Sequence, residues 1–224
     1  KLLEEQKELV EDGDTLCLAY ITLLNENGRW EEALELLRRH VFHVWEGGEG
    51  KVAEQYKISL FALAGAAMDK GDYAGALELC RQTITYPENL GEGKLPNVPD
   101  NQAYYLMGVC CRKLGEEEKA EGFFRLAAEG SQTPEPVRYY NDQPSDYIYY
   151  IGLALLALGK KAEAKAAFQK LVDFGRAHET EKVGYDFFAV SLPELEVYQD
   201  DLQKRSKAYC ERLIALGEKG LNMP

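Results

Sequence analysis

NQAYYLMGVCCRKLGEEEKAEGFFRLAAEG, residues 101–130, decides the fold. Its spacing predicts one helix from Asn101, a tight turn at Gly115, and a second helix that folds back on the first. Tyr104 supplies a bulky first position and Gly108 a close-contact position, while Ala120, Phe124 and Ala127 line the returning helix. These residue types answer a steric demand. Two helices approach to about 8–10 Å only where small residues such as Gly108 and Ala120 sit at the crossing, with Phe124 filling the space beside them. A hairpin of this size cannot bury its apolar face alone, so neighbours of the same kind are required.

Such neighbours are present on both sides. Turn glycines fall at 28, 71, 115 and 159, an internal period of 43, 44 and 44 residues. Asp14 and Thr15 are predicted to cap a helix running to Asn27, with Leu16, Tyr20, Leu23 and Leu24 on its buried side. Trp30 and Ala33 open its partner, which carries Leu34, Leu36 and Leu37 to about His40. Leu2 to Val10 has helical spacing and reads as an incoming helix. The second hairpin runs from about Val52 through Leu60, Leu63, Ala64 and Ala67 to Gly71, then Tyr73, Ala76 and Cys80. In the fourth, Ile148, Ile151, Gly152 and Leu155 precede Gly159, followed by Ala164 and Phe168. Beyond Gly175 the pattern weakens. Gly184 to Leu195 reads as an apolar insert packing back over the stack, or else as a partner-binding patch, ahead of a last helix from about Asp201 to Leu216.

These small and aromatic positions resemble the tetratricopeptide pattern, whose period of ~34 leaves each unit on the order of ten residues to spare. The fold expected is all-α: a right-handed α-solenoid of about four tetratricopeptide-like hairpins with long inter-repeat loops and a C-terminal capping helix. It is read as one domain over 1–224, with units at about 14–42, 52–86, 101–130 and 145–175 and a cap at about 184–220. With the hairpins intact, the spare residues are expected between the second helix of one unit and the first of the next. Equivalent loops of a stacked solenoid emerge along one edge, so the inserts should share a surface.

Composition narrows the function classes. The chain has 224 residues, 38 acidic against 26 basic, and a net charge of −12, which repels a phosphate backbone in the absence of a basic stripe. Its lysines and arginines (Arg38, Arg39, Lys160, Lys161) sit beside glutamates as a salt-bridged face, so no nucleic acid partner is expected. The apolar runs Ile58 to Met68 and Tyr147 to Leu158 are too short to span a bilayer, and no membrane partner is expected. Five cysteines, Cys17, Cys80, Cys110, Cys111 and Cys210, form no CxxC pair and suit buried thiols in a reducing, cytoplasmic setting. A start at Lys1, directly in a charged helical pattern, is expected of a piece excised from a longer protein.

The inserts carry the candidate site. Trp45, Glu46, Gly47, Gly48, Glu49, Gly50, Lys51 form the first, and Tyr86 to Lys94, including Asn89 and Glu92, the second; Gly48 to Lys51 and Gly91 to Lys94 are the same tetrapeptide one period apart. Two readings stand: a recurring turn that starts a helix, with a local Glu/Lys pair, or a ligand-binding loop. Neither is a nucleotide-phosphate loop, since the GxxxxGK[ST] spacing is absent. The third insert sets Tyr139, Tyr140, Tyr147, Tyr149 and Tyr150 among Asn141, Asp142 and Gln143, flat faces beside polar groups that suit a sugar or a peptide. Equally, Ser145 or Asp146 can cap the next helix after Pro144, with several tyrosines in the core. His40, His43 and Glu46 would share one side of a continuous helix with zinc-type ligand chemistry. Because that helix ends near His40, no metal and no cofactor is assigned.

Trp45 to Lys51, Tyr86 to Leu95, Tyr140 to Pro144 and Phe187 to Leu192 together are similar to the carboxy-terminal tetratricopeptide segment of large bacterial proteins that carry an amino-terminal galactose-mutarotase-like β-sandwich domain of unknown function. The resemblance spans nearly the whole chain. It implies a carbohydrate-related context and carries over no catalytic residue. The expected role is a non-catalytic binding or scaffolding module that engages an adjacent domain, a peptide or a glycan through the insert edge and a concave face. Its candidate residues are Trp45, Glu46, Glu49, Lys51, Asn89, Glu92, Lys94, Tyr140, Asn141 and Asp142. The alternative is a glycoside-active site among Glu46, Glu49, Glu92, Asp142, Asp146 and Asp186, which needs two carboxylates about 5–5.5 or 6.5–9.5 Å apart.

Overall fold

The computed structural model describes residues 5, 7–45, 48–135, 142–183 and 201–223. Among them, every regular element is a helix. They fall into two compact units: Lys1–Pro96 with Cys110–Gly115, and Asn97–Val109 with Glu116–Pro224. Helical hairpins of the α-solenoid class build both.

In the first unit, α1 (Lys7–Asp12), α2 (Asp14–Glu26), α3 (Trp30–Arg39), α4 (Lys51–Asp69) and α5 (Tyr73–Gln82) are followed by a 3-10 turn at Glu88–Leu90. The core joins Cys17, Ile21 and Leu24 of α2 to Ala33, Leu34 and Leu37 of α3 and Val52, Tyr56 and Leu60 of α4. Phe42 and Leu90, both from inserts, complete it. The buried stripe of α2 is displaced from the one the sequence predicts. Leu16 and Leu23 are 45% and 46% exposed, and Tyr20 is half-buried. One step round the helix, α3 and α4 pack on a side that also holds Asn25. Its amide donates to Gln55 O at 3.1 Å and Gln55 Oε1 at 2.9 Å, and its oxygen accepts from Ser59 Oγ at 2.8 Å. A polar residue satisfied in the core made that side look solvent-facing. Nor does Asp14 cap α2, since Gly13 holds that position without a side-chain bond.

The second unit contains the start of α6 (Asn101–Lys113), then α7 (Glu117–Ala127), α8 (Tyr147–Ala157), α9 (Lys161–His178) and α10 (Leu202–Leu221). The close approach read from the sequence is present: a β-carbon on Gly108 would lie 2.6 Å from the Phe124 ring, and Gly152 of α8 meets Phe168 of α9 in the same way. On its other side Phe168 meets Gly220 of α10. A β-carbon on Gly217 would stand 2.6 Å from Phe168 O, and one on Gly175 the same distance from Ile214. The capping helix thus seats on α9 through three glycines. It runs five residues past the predicted end at Leu216, and Asp201 caps it by accepting from Lys204 N–H at 2.9 Å. The predicted apolar insert, Gly184 to Leu195, lies outside the described residues, and with it Asp186 and Phe187 to Leu192.

The turn glycines 28, 71, 115 and 159 share φ values of 73, 80, 80 and 79°, so the period is a period of backbone geometry too. The spare residues, however, are not all in the inserts. α4 has 19 residues and α9 has 18, against 13 in α2 and 10 in α3. The added first turns of α4 bury Val52, Ala53 and Tyr56, some of them beneath Phe42 and Leu90, which rewards extending the helix rather than the loop.

Candidate functional site

In the first unit the two inserts close on each other. α3 stops at Arg39, His40 turns extended (φ −74°, ψ 143°), and the chain continues without regular structure through Trp45. The last carbonyls of a helix lack partners within it. Here Asn89 supplies them, its Nδ2 donating to Leu37 O at 2.7 Å and His40 O at 2.8 Å, while its own carbonyl accepts from Phe42 N–H at 2.8 Å. Gly91 follows at φ 79°, where an added β-carbon would lie 2.5 Å from Phe42 O, so both torsion and space require glycine. Glu92 reaches the start of α4 and accepts from Gly50 N–H at 2.9 Å and Ala53 N–H at 3.4 Å. A carboxylate there satisfies orphan amides and complements the positive end of the helix dipole.

The repeated tetrapeptide therefore does two different things. In Gly48–Lys51 the left-handed residue is Gly50, and α4 begins at once; in Gly91–Lys94 it is Gly91, and the next helix waits until Asn101. The helix-start reading holds for the first copy and fails for the second. Trp45 is half-buried on the hairpin core with its indole against Gly48, rather than standing open as a stacking platform. Glu49 is exposed, and Lys51 and Lys94 are half-buried. Glu46 lies outside the described residues.

Asp14, expected from the sequence only as a helix cap, organises the first insert instead. One carboxylate oxygen meets His40 Nε2 at 2.7 Å; the other accepts from His43 N–H at 2.9 Å and meets His43 Nδ1 at 3.1 Å. Burial pushes the Asp14 carboxyl up, but the hydrogen bonds from His40 and His43 together outweigh it and hold it below its usual value. The two histidines come together as their spacing implied, on Asp14 rather than in a helical ligand row. Among the described residues no group of three His, Cys, Asp or Glu side chains is arranged for a metal ion.

The third insert belongs to the second unit. Tyr140 and Asn141 lie outside the described residues, and Asp142 is exposed. Gln143 accepts from Ser131 N–H at 3.0 Å and donates to Ser131 O at 2.6 Å, and buried Ser145 accepts from Glu135 N–H at 3.1 Å. Neither Ser145 nor Asp146 caps α8 through its side chain; Asp146 pairs with Arg212 of α10 at 2.8 Å instead. Asn101 donates to Ala127 O at 3.0 Å and Glu129 O at 2.7 Å, closing α7 as Asn89 closes α3. Tyr149 is buried with its ring 5.8 Å from Phe168, and Tyr150 packs 6.2 Å from Tyr105. Burial, then the charge of Asp146, pushes the Tyr150 hydroxyl up to about 12. These two tyrosines serve packing rather than an open face.

All five cysteines are free thiols and buried. Burial, and after it the neighbouring Cys110, pushes Cys80 up to about 12, and burial, then Cys111, pushes Cys110 up to about 11, which makes both poor nucleophiles. Among the described residues no helix is long and apolar enough to cross a membrane.

Hairpins joined by left-handed glycines and locked by a small residue against an aromatic ring define a helical-repeat protein. Residues 102–129 and 146–173, the α6–α7 and α8–α9 hairpins, each match a family model of the tetratricopeptide repeat, so the chain carries a tetratricopeptide-repeat segment. Such repeats generally mediate protein–protein interaction or scaffolding.

Proposed function

We propose that this segment is a non-catalytic binding and scaffolding module of a larger, carbohydrate-related bacterial protein. It engages a neighbouring domain, a peptide or a glycan through its insert edge and the concave face expected of stacked first helices. What supports the edge is that the first-unit inserts are tied down. Asn89 and Glu92 hold them to the ends of α3 and α4, and Asp14 holds His40 and His43. Val41, Val44 and the His43 side chain are left 60%, 71% and 81% exposed on that fixed frame. Side chains presented by ordered loops on a rigid scaffold are where recognition usually resides. On this reading Asn89 and Glu92 build the edge, while Glu49, with Val41, His43 and Val44, contacts the partner. The glycoside-active alternative is weaker, because Glu92 is engaged by the α4 amides and Asp146 by Arg212.

Titration of the purified segment against the β-sandwich domain proposed for its parent protein, and against peptide and glycan arrays, tests this reading. At least one should bind, and Val44→Asp should weaken that binding about tenfold or more. Binding to none of the three overturns the proposal.

A further inference from the structure

A hollow of about 330 Å³ opens in the second unit where Leu156 of α8, the first turns of α9 and the end of α10 meet. Phe168, Ala162, Gly220 and Met223 complete its apolar lining, and among the described residues that line it Lys161 and Lys165 are the charged ones. The volume lies within the range, about 300–1,000 Å³, of cavities that take ligands. Lys161 and Lys165 are one helical turn apart and so stand on the same side of α9. Among the described residues neither has a carboxylate partner, whereas the adjacent Lys160 meets Glu163 at 3.7 Å. In a chain of net charge −12, a hollow whose charged residues, among those described, are both lysines reverses the prevailing sign.

An apolar hollow with two ammonium groups on its rim fits a bulky apolar group flanked by carboxylates. Exposed ion pairs contribute little each, so the apolar group would hold and the charges would select. We propose that this hollow docks a partner peptide in which one large apolar side chain is flanked by acidic residues. The choice of a peptide rests on the protein-binding reading above; the chemistry rests on the hollow.

Fluorescence anisotropy with three labelled pentapeptides tests it: Asp-Glu-Phe-Glu-Asp, the same peptide with Asn and Gln, and the same with Lys. The acidic peptide should bind about three- to tenfold tighter than the neutral one, with the difference shrinking as salt is raised, and the basic one should bind more weakly than either. Ala162→Trp fills the hollow from an exposed position, and Lys161→Glu with Lys165→Glu reverses its rim; each should cost the acidic peptide tenfold or more. Circular dichroism checks folding, and the charge reversal decides if the tryptophan variant unfolds. Equal binding of all three peptides, binding indifferent to both variants, or no binding overturns the proposal. So does binding of decanoate without the acidic peptide, which would make the hollow a site for a free amphiphile. If these peptides fail while insert-edge binding persists, only this inference falls; if both fail, so does the reading beneath it.

Discussion

The two units lock their hairpins by different means. In the second, Phe168 is wedged between Gly152 of α8 and Gly220 of α10, an apolar ring held by two missing side chains. In the first, the positions equivalent to Gly152 and Phe168 are Ile21 and Leu37 in one hairpin and Ala64 and Cys80 in the next, all fully buried, and the inserts are fastened by polar groups of Asn89, Glu92 and Asp14. Positions 21, 64, 108 and 152 keep the period of the turn glycines, so the architecture repeats while its chemistry changes. A glycine facing an aromatic ring marks itself in sequence at a fixed offset. A loop asparagine that caps a helix one hairpin earlier does not.

The sharpest way to break this contrast is Phe168→Ala. A ring bounded by glycine backbone leaves a cavity that neighbouring side chains cannot refill, so the loss should be about 3–5 kcal/mol in urea unfolding. A loss under about 1 kcal/mol would mean that the glycines do not grip the ring. Asn89→Ala comes next. It strands Leu37 O and His40 O, with an expected cost of about 1–3 kcal/mol and faster amide exchange at Phe42. Were exchange to rise equally in α8 and α9, the bond would not be local to the first unit.

Why the sequence disclosed one lock and hid the other follows from distance along the chain. Gly108 and Phe124 answer each other within one hairpin, so period and residue type revealed them together. Asn89 acts on carbonyls 49 and 52 residues back, and Asp14 on histidines 26 and 29 ahead; no local rule links those positions. Asn89 and Glu92 look like ligand candidates in the sequence because polar residues in glycine-rich loops look available, whereas in the structure they bond to helix ends. The displaced stripe of α2 has the same origin: Asn25 sits on the buried side only because Gln55 and Ser59, a hairpin away, satisfy it. Gly175, Gly217 and Gly220 have a role that depends on α10 packing on α9, which spacing alone does not specify.

Asp14 gives the contrast a pH axis. In the unfolded chain its carboxyl protonates near the ordinary aspartate value of 3.8, and in the folded protein only at lower pH. Within that window the unfolded state binds more protons, so stability rises with pH; the contribution is complete above 3.8 and is lost as pH falls through the folded value. Asp14→Asn should therefore cost about 1 kcal/mol at pH 7, with the gap to the unaltered protein closing as the pH of the urea titration is lowered below 3.8. A gap that stays constant to low pH would assign the loss to shape rather than to charge.

The smallest effect separates charge from hydrogen bonding at the tie between inserts. Glu92→Gln keeps an acceptor for Gly50 and Ala53 N–H but removes the negative charge from the start of α4. If the dipole matters, the variant should lose about 0.3–1 kcal/mol at low ionic strength and less at high salt. If only the acceptor matters, the loss should vanish at every salt concentration, and Glu92→Ala alone should speed exchange of the Gly50 and Ala53 amides. The first outcome makes the insert edge an electrostatic structure that salt loosens. The second makes it as salt-indifferent as the glycine-held ring of the second unit, and the distinction between the two locks would then lie in geometry rather than in charge.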